Sequence, residues 1–170
     1  MIRIIQTSEE EDVQAAAALI RAFVAWQRET YHDYLDIVDK YFAHIEVETD
    51  NLPGPYLPPQ GRLLLASVDG VPAGVCALKP LGSADCEMKR MFVYPRFQGQ
   101  GVGKALALRL IAEARLAGYQ RMLLETGPRQ LAAAGLYRSL GFEPIAPYYE
   151  IPPEYAEEFT ERALFMALAL

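Results

Sequence analysis

The stretch from Tyr94 to Ile111 reads YPRFQGQGVGKALALRLI, and it places Gly99, Gly101 and Gly103 at alternate positions directly before an apolar helical run. Glycine lets a backbone turn tightly and approach a ligand closely. The start of a helix carries unpaired N–H groups and a partial positive charge. The stretch therefore predicts a loop and a helix start that bind an anion such as a pyrophosphate.

Two familiar phosphate-binding loops do not fit this stretch. A Walker-type loop would need glycine at Gln98 and a metal-binding hydroxyl at Ala105. A dinucleotide-binding fingerprint that began at Gly99 would need glycine at Lys104, and one that began two residues later fails in the same way. The predicted anion site therefore belongs to another class.

The pattern that fits is Gln98-x-x-Gly101-x-Gly103 behind a strand that ends Val-x-Pro. The motif CEMKRMFVYP (residues 86–95) precedes it and LYRSLGF (residues 136–142) follows it. With these three motifs in order, the sequence resembles the GNAT superfamily of acyl-CoA-dependent N-acyltransferases over roughly residues 62–145. The loop alone would be a weak signal, whereas the loop with both flanking motifs is a strong one.

The resemblance implies a fold and a donor. The expected GNAT fold is α/β, with a mixed, mostly antiparallel sheet of about six to seven strands flanked by helices, and with central parallel strands that splay apart. The expected co-substrate is acetyl-CoA, and no metal is implied. The expected activity is transfer of an acetyl group to a primary amine of a small molecule or peptide.

The same resemblance assigns the cofactor-binding residues. The loop would hold the pyrophosphate of coenzyme A, and the backbone of the preceding strand would bind the pantetheine arm like an added strand. These residues are Met91, Phe92, Val93, Gln98, Gly99, Gln100, Gly101, Val102, Gly103, Lys104, Gln130 and Ala133. Gln130 stands where the family commonly has asparagine, which keeps the amide on a longer side chain. The Lys104 side chain could contact a phosphate or lie in solvent on the helix surface, and the two roles have equal weight.

Two catalytic residues follow from the resemblance. Acyl transfer requires a neutral amine, a stabilised oxyanion and a proton for the departing thiolate. Tyr137 corresponds to the proton donor and Glu87 to the general base. Packing on Phe142 is the alternative for Tyr137. Strand alternation places Glu87 on the same face as Lys89, so a structural ion pair has equal weight with the role of base.

Length, composition and charge restrict the function classes further. The chain has 170 residues, 52% of them hydrophobic, and a formal net charge of -6. This size suits one domain over residues 1–170, and the negative field disfavours nucleic acid and anionic membranes as partners. The sequence begins without a secretory pattern and lacks a run that could cross a bilayer, so we expect a cytoplasmic protein.

The cysteines and histidines do not suggest a metal site. Cys76 and Cys86 would lie opposite each other if a hairpin turned near Leu81, although reduced core thiols are the favoured interpretation. His32 and His44 lack a third ligand at a recognisable spacing.

Hydrophobic patterns and turn residues predict the order of the elements. Strands are expected at 2–6, 62–68, 71–78, 84–94, 121–125, 142–145 and 163–170, and helices at 9–26, 34–47, 102–117 and 130–140. Four prolines make residues 52–61 a rigid connector. Strands form hairpins early in the chain and alternate with helices later, which predicts a mixed sheet.

The acceptor is the least determined part of the function. The segment PYYEIPPEYAEEF is aromatic and acidic, through Tyr148, Tyr149, Glu150, Tyr155, Glu157 and Glu158. Such a rim would favour a cationic amine, but a solvated loop and helix is the favoured interpretation. The alternative function is a non-catalytic sensor or regulatory module that binds coenzyme A. The sequence leaves a homodimer open.

Overall fold

A computed structural model describes residues 1–151 and 163–170 of the chain. The helices are α1 (Glu10–Thr30), α2 (Leu35–Tyr41), α3 (Ile45–Asp50), α4 (Val102–Leu116) and α5 (Leu131–Ser139). The strands are β1 (Ile2–Gln6), β2 (Arg62–Val68), β3 (Val71–Pro80), β4 (Asp85–Val93), β5 (Arg121–Thr126), β6 (Glu143–Ile145) and β7 (Leu164–Ala169).

In the described ranges, seven strands form one sheet in the order β1-β2-β3-β4-β5-β7-β6. The pair β4 and β5 is parallel, and the other neighbours are antiparallel. This mixed, mostly antiparallel sheet with helices on both faces confirms the predicted fold class. Strand boundaries lie within about two residues of the expected ones.

Each face of the sheet carries a separate apolar cluster. On one face, α4 contributes Leu106 and Leu110 to a core that also includes Tyr137 of α5. On the other face, Ala16 and Ile20 of α1 pack against the sheet. These positions in α1 and α4 follow the three-to-four-residue spacing of an amphipathic helix. None of the helices within residues 1–151 and 163–170 combines the length and apolar character needed to span a membrane.

The helix predicted over residues 34–47 is wrong, because the chain turns after Tyr41 and starts a second short helix. The turn reorients α3 so that its acidic side chains meet two arginines on other elements. Arg21 of α1 binds Glu46 and Asp50, and Glu48 binds an arginine of β4. Contacts between distant segments therefore decide where this helix breaks, and local sequence did not show them.

The suggested facing of Cys76 and Cys86 is also wrong. The β3–β4 turn closes through a hydrogen bond from the N–H of Leu81 to the carbonyl of Asp85, so Cys86 pairs with Pro80 instead. Both cysteines are free and buried, which agrees with the favoured interpretation of reduced core thiols. Burial raises the pKa of both thiols, that of Cys86 to about 12.

Strand β4 contains a β-bulge. The register of the β3–β4 pair shifts between Val75 and Ala77, where β4 contains one residue more than β3. Arg90 lies in the bulge with φ 56, in the left-handed region that side chains other than glycine rarely adopt. A bulge bends its strand and increases the local twist. The bulge therefore redirects the end of β4.

Glu48 of α3 holds the bulge in place. Its Oε1 accepts a hydrogen bond from Arg90 Nε at 2.8 Å, and its Oε2 accepts one from Arg90 Nη2 at 2.5 Å. The Tyr56 hydroxyl donates to the same carboxylate at 2.8 Å. Although burial acts to raise the pKa of Glu48, the hydrogen bonds and charge of Arg90 outweigh it and lower the pKa. This largely buried pair fixes a strained backbone position.

Strands β4 and β5 pair over a short distance only. The register joins Asp85 with Arg121, Cys86 with Met122, and Glu87 with Leu123, and it ends there. Beyond Glu87, β4 keeps β3 as its neighbour and leaves β5. The predicted splay of the central parallel strands is therefore present, and the strands separate after Glu87.

Replacing Glu48 with glutamine should lower the free energy of unfolding by about 2 to 3 kcal/mol at pH 7, because the Arg90 guanidinium would lose its counter-charge. Urea unfolding followed by circular dichroism measures this change. The folded pKa of Glu48 lies below its ordinary value of 4.5. Its contribution is therefore present above that pH and is lost as pH falls through the folded pKa, so the two proteins should converge in acid.

Glu46→Gln is the matched control for this prediction. Glu46 lies two residues away on the same helix, and its partner Arg21 leaves it 72% exposed. Exposed pairs contribute little, so the change should be about 0.5 kcal/mol or less. Equal effects of the two substitutions would show that Glu48 does not stabilise the bulge in the way described.

Candidate active site

Two neighbouring cavities lie where β4 and β5 part, and they share four lining residues. The larger, of about 390 Å³, runs along the glycine-rich loop (residues 98–101) and the start of α4 and α5, and we call it the glycine-loop cleft. The smaller, of about 100 Å³, lies between the sheet and helices α1 and α2, and we call it the inner pocket. The polar residues that line the inner pocket are Gln27, Tyr31, Tyr41, Glu87, Lys89, Arg90, Glu125, Gln130 and Tyr137. Phe23, Met91, Gln130 and Tyr137 line both cavities.

The glycine-rich loop turns the chain into α4. Gly99 and Gly101 have φ values of 74 and 86, and a Cβ on Gly101 would meet no atom within 4 Å. Glycine is favoured here because the φ angle is positive, and not because a larger side chain would collide with neighbouring atoms. No side chain caps α4, so the first N–H groups of the helix, on Val102, Gly103 and Lys104, lack helical partners. These three residues line the glycine-loop cleft.

The glutamines of the loop brace it internally. Gln98 Nε2 donates to the Val93 carbonyl at 3.0 Å, and Gln100 Nε2 donates to the Arg96 carbonyl at 2.9 Å. All of the predicted cofactor residues except Gln100 line the glycine-loop cleft. Gln100 therefore lies apart from the group that the structure brings together, and its side chain supports the loop from outside the cleft.

The end of β4 presents an unpaired edge to the cleft. Phe92 and Val93 pair with Val75 and Gly74 of β3 on one side. On the other side β5 has already separated from β4, and Met91, Phe92 and Val93 line the cleft there. An extended ligand can therefore bind the backbone of this edge as an added strand would.

Gln130 and Ala133 lie at the start of α5 and line the cleft. Gln130 Oε1 accepts hydrogen bonds from Thr126 Oγ1 at 2.6 Å and from the Gly127 N–H at 3.3 Å. The amide thus fixes the turn between β5 and α5. Its own NH₂ group is the part that remains for a ligand.

Tyr137 lies at the junction of the two cavities. It is 5% exposed and packs on Phe142 with ring centroids 5.8 Å apart. Burial, with a smaller influence of Cys76, raises the pKa of Tyr137. Its phenol therefore stays protonated at neutral pH, and the residue both packs in the core and lines the gap.

Glu87 is the last residue of β4 that pairs with β5, and it is 6% exposed. The Tyr148 hydroxyl donates to its Oε1 at 2.7 Å, and Lys89 Nζ lies 3.5 Å from the carboxylate. Glu87 pairs with Lys79 of β3, and Lys89 pairs with Ala77, which faces the α1 side. Because side chains alternate along a strand, Glu87 also faces α1 and α2. Glu87 and Tyr137 therefore approach the gap from opposite faces.

Arg129 joins the end of α1 to the β5–α5 turn. Its guanidinium makes two hydrogen bonds to the Asp33 carboxylate, at 2.7 and 2.5 Å, and another to the Thr30 carbonyl. Its backbone N–H donates to the Tyr31 hydroxyl at 3.0 Å. Arg129 also lines the glycine-loop cleft. Sequence analysis missed this group, because its partners lie 96 or more residues apart in the chain and show no shared pattern.

Part of the acidic and aromatic segment contacts the inner pocket. Tyr148 binds Glu87, and Tyr149 donates to Glu125 Oε2 at 2.6 Å. Tyr148 is partly buried on Glu87 and so departs from the interpretation of a solvated loop, whereas Tyr149 is 38% exposed and agrees with it. Tyr155, Glu157 and Glu158, which belong to the same predicted rim, lie outside the described residues. In the two described ranges, no three metal-binding side chains are grouped to hold an ion.

Comparison with known proteins identifies a family that this chain matches. The sequence profile of the acetyltransferase (GNAT) family matches residues 19–142. An uncharacterized N-acetyltransferase of Schizosaccharomyces pombe is 36% identical over 117 residues, which cover 68% of this chain and 72% of that protein.

Solved structures show the same fold. A GNAT-family acetyltransferase of Staphylococcus aureus superposes with a TM-score of 0.74 at 20% identity, over 100% of this chain and 99% of that one. A putative acetyltransferase of Salmonella typhimurium, solved with its cofactor acetyl-CoA, superposes with a TM-score of 0.67 at 24% identity, over 99% of this chain and 94% of that one.

Replacing Gly101 with alanine should lower the free energy of unfolding by about 1 to 2 kcal/mol, because a side chain disfavours the left-handed conformation that begins α4. Gly135→Ala is the control, since Gly135 lies inside α5 and a Cβ added there would meet no atom within 4 Å. That substitution should raise the free energy of unfolding by about 0.5 to 1 kcal/mol. Thermal unfolding of both variants gives the comparison, and equal shifts would contradict the role of Gly101.

Proposed function

The chain belongs to the acetyltransferase (GNAT) family, and from this we propose that it transfers an acetyl group from acetyl-CoA to a primary amine by direct attack in a ternary complex. The amine belongs to a small molecule or a peptide. The observation that carries the proposal is the gap between β4 and β5, which joins a cleft suited to the donor with a pocket suited to the acceptor. Tyr137 lines both cavities.

The glycine-loop cleft suits coenzyme A in two ways. The first turn of α4 offers unpaired N–H groups and the positive end of a helix for the pyrophosphate. The free edge of Met91, Phe92 and Val93 suits the pantetheine arm, and a backbone N–H near Val93 would polarise the thioester carbonyl. Bound acetyl-CoA would supply the acetyl group as a thioester at the gap between the strands.

The inner pocket suits the acceptor amine. We propose that Glu87 removes a proton from the amine, which then attacks the thioester carbonyl carbon and forms the C–N bond. Tyr148 and Lys89 hold the Glu87 carboxylate from two sides. The nitrogen of the tetrahedral adduct loses its remaining extra proton to solvent. As the C–S bond breaks, Tyr137 gives its proton to the departing sulfur, and solvent then returns a proton to Tyr137. The products are the N-acetylated amine and coenzyme A.

Direct transfer is favoured over a covalent enzyme intermediate. In the described part of the chain, neither cavity is lined by a cysteine. Burial raises the pKa of both Cys76 and Cys86, so neither thiol forms a thiolate readily. Both cavities lie against one sheet, which supports the proposal that residues 1–170 form a single catalytic domain.

The decisive experiment measures thiol release from acetyl-CoA across a panel of amines. We expect turnover with at least one amine, and we expect Tyr137→Phe to lower kcat by about 10² to 10⁴ while acetyl-CoA still raises the melting temperature. Tyr119→Phe is the matched control, because the Tyr119 hydroxyl binds the Gln60 carbonyl away from both cavities. Stabilisation by acetyl-CoA without thiol release from any amine would indicate a sensor instead of an enzyme.

A second pair of variants separates the two roles of Glu87. If Glu87 is the base, Glu87→Gln should lower kcat by about 10² or more, whereas Lys89→Met should lower it by about tenfold or less. If Glu87 is only the partner of Lys89, the two substitutions should have similar effects on stability and rate. Steady-state kinetics at pH 7 to 9 and thermal unfolding distinguish these outcomes.

A further inference from the structure

Glu125 places a second carboxylate in the inner pocket. In the parallel pair, Glu87 lies opposite Leu123, and Glu125 follows Leu123 by two residues on the same face of β5. Glu125 and Glu87 therefore lie on the same side of the sheet, at the point where the strands part. Both residues line the inner pocket.

The other charged groups of the inner pocket already have ionic partners. The Arg90 guanidinium is bound by Glu48, and Lys89 lies 3.5 Å from Glu87. Glu125 differs, because within residues 1–151 and 163–170 no cationic group lies within 4 Å of it. Its described partners are two phenols.

The two phenols orient the Glu125 carboxylate without neutralising it. Tyr41 and Tyr149 both donate to Oε2, at 2.9 and 2.6 Å. Burial is the main cause that raises the pKa of each phenol. The second cause is the charge of Glu125 at Tyr41 and the hydrogen bond to Glu125 at Tyr149. Both phenols therefore stay protonated donors, and Oε1 accepts no hydrogen bond from any residue in the ranges 1–151 and 163–170. A partly buried carboxylate with an oxygen in this state favours a cation.

We propose that Glu125 is a specificity-determining residue that binds a second cationic group of the acceptor. The acceptor class is then an amine that carries another ammonium or guanidinium group a few bonds from the nitrogen that receives the acetyl group. An acceptor carboxylate is disfavoured, because Lys89 and Arg90 are already paired. This inference rests on the proposed acetyl transfer.

The test compares three acceptors of equal length that differ at the far end: pentylamine, 1,5-diaminopentane and 5-aminopentanoate. With wild-type protein and acetyl-CoA, kcat/KM for the diamine should exceed that for pentylamine by about tenfold or more. The aminopentanoate should be the poorest of the three. The preference for the diamine should shrink as salt rises from about 0.05 to 0.5 M, because salt screens a partly exposed ion pair.

Glu125→Gln keeps the shape of the side chain and removes its charge. It should lower kcat/KM for the diamine by about tenfold, mainly through KM, and change that for pentylamine by about twofold or less. Glu143→Gln is the control, because it removes the same charge from β6, two strands away from β5, and should leave the ratio of the two substrates unchanged.

Three outcomes would overturn the inference. The first is equal use of the three acceptors by the wild-type protein, and the second is a preference for the aminopentanoate. The third is an equal loss with both amines in Glu125→Gln. If that variant folds poorly, the inference is tested by the wild-type protein alone, through the ratio of kcat/KM for the diamine to kcat/KM for pentylamine and through the salt dependence of that ratio. If no amine is acetylated, the result would instead contradict the proposed acetyl transfer itself.

Discussion

The ion pair between Glu48 and Arg90 is the constraint on which the site depends. A left-handed conformation at a residue other than glycine is unfavourable by roughly 1 to 2 kcal/mol, and Arg90 adopts it in the middle of the sheet. The two hydrogen bonds from Arg90 to Glu48, with the hydroxyl of Tyr56, hold that conformation. The ring of Phe42 lies 5.6 Å from the same guanidinium. The main contribution of helix α3 is therefore to hold the bulge of the sheet through Glu48.

The bulge at Arg90 and the early end of the β4–β5 pairing together produce the site. An unbroken pair of parallel strands would close the sheet and separate its two faces. In this protein the pairing stops at Glu87, and the space beyond connects a side chain on one face with Tyr137 on the other. In the proposed reaction, Glu87 and Tyr137 would therefore act on the same reacting group from opposite faces of the sheet.

Local patterns in the sequence predicted the parts that local physics determines. The alternating glycines marked the turn into α4, and the hairpin strands followed from apolar alternation and tight-turn residues. Glu87 and Tyr137 came from the resemblance to a family, and both lie at the gap. The break between α2 and α3, the register of Cys86 and the outward position of Gln100 were not predictable. Each depends on partners that the chain brings together only after folding.

Glu125 shows the limit of sequence analysis most clearly. Its phenolic partner Tyr41 lies 84 residues earlier in the chain, and Tyr149 belongs to a segment that composition alone described as a solvated loop. Alternation along β5 could have placed Glu125 beside Leu123 on one face. It could not have shown that two hydroxyls meet on a single oxygen, because that requires the packing of α2 over the end of β5.

The position of β5 in the sheet also bears on how the protein is made. Strand β5 pairs with β7 over six residues and with β4 over three, and β7 follows the other described strands in chain order. A nascent chain therefore leaves the ribosome with one long side of β5 unpaired, next to the apolar Leu123 and Leu124. Exposed strand edges of this kind invite mispairing with other chains. Synthesis therefore passes through a stage in which the edge of β5, which carries Glu125 of the inner pocket, is open to such mispairing.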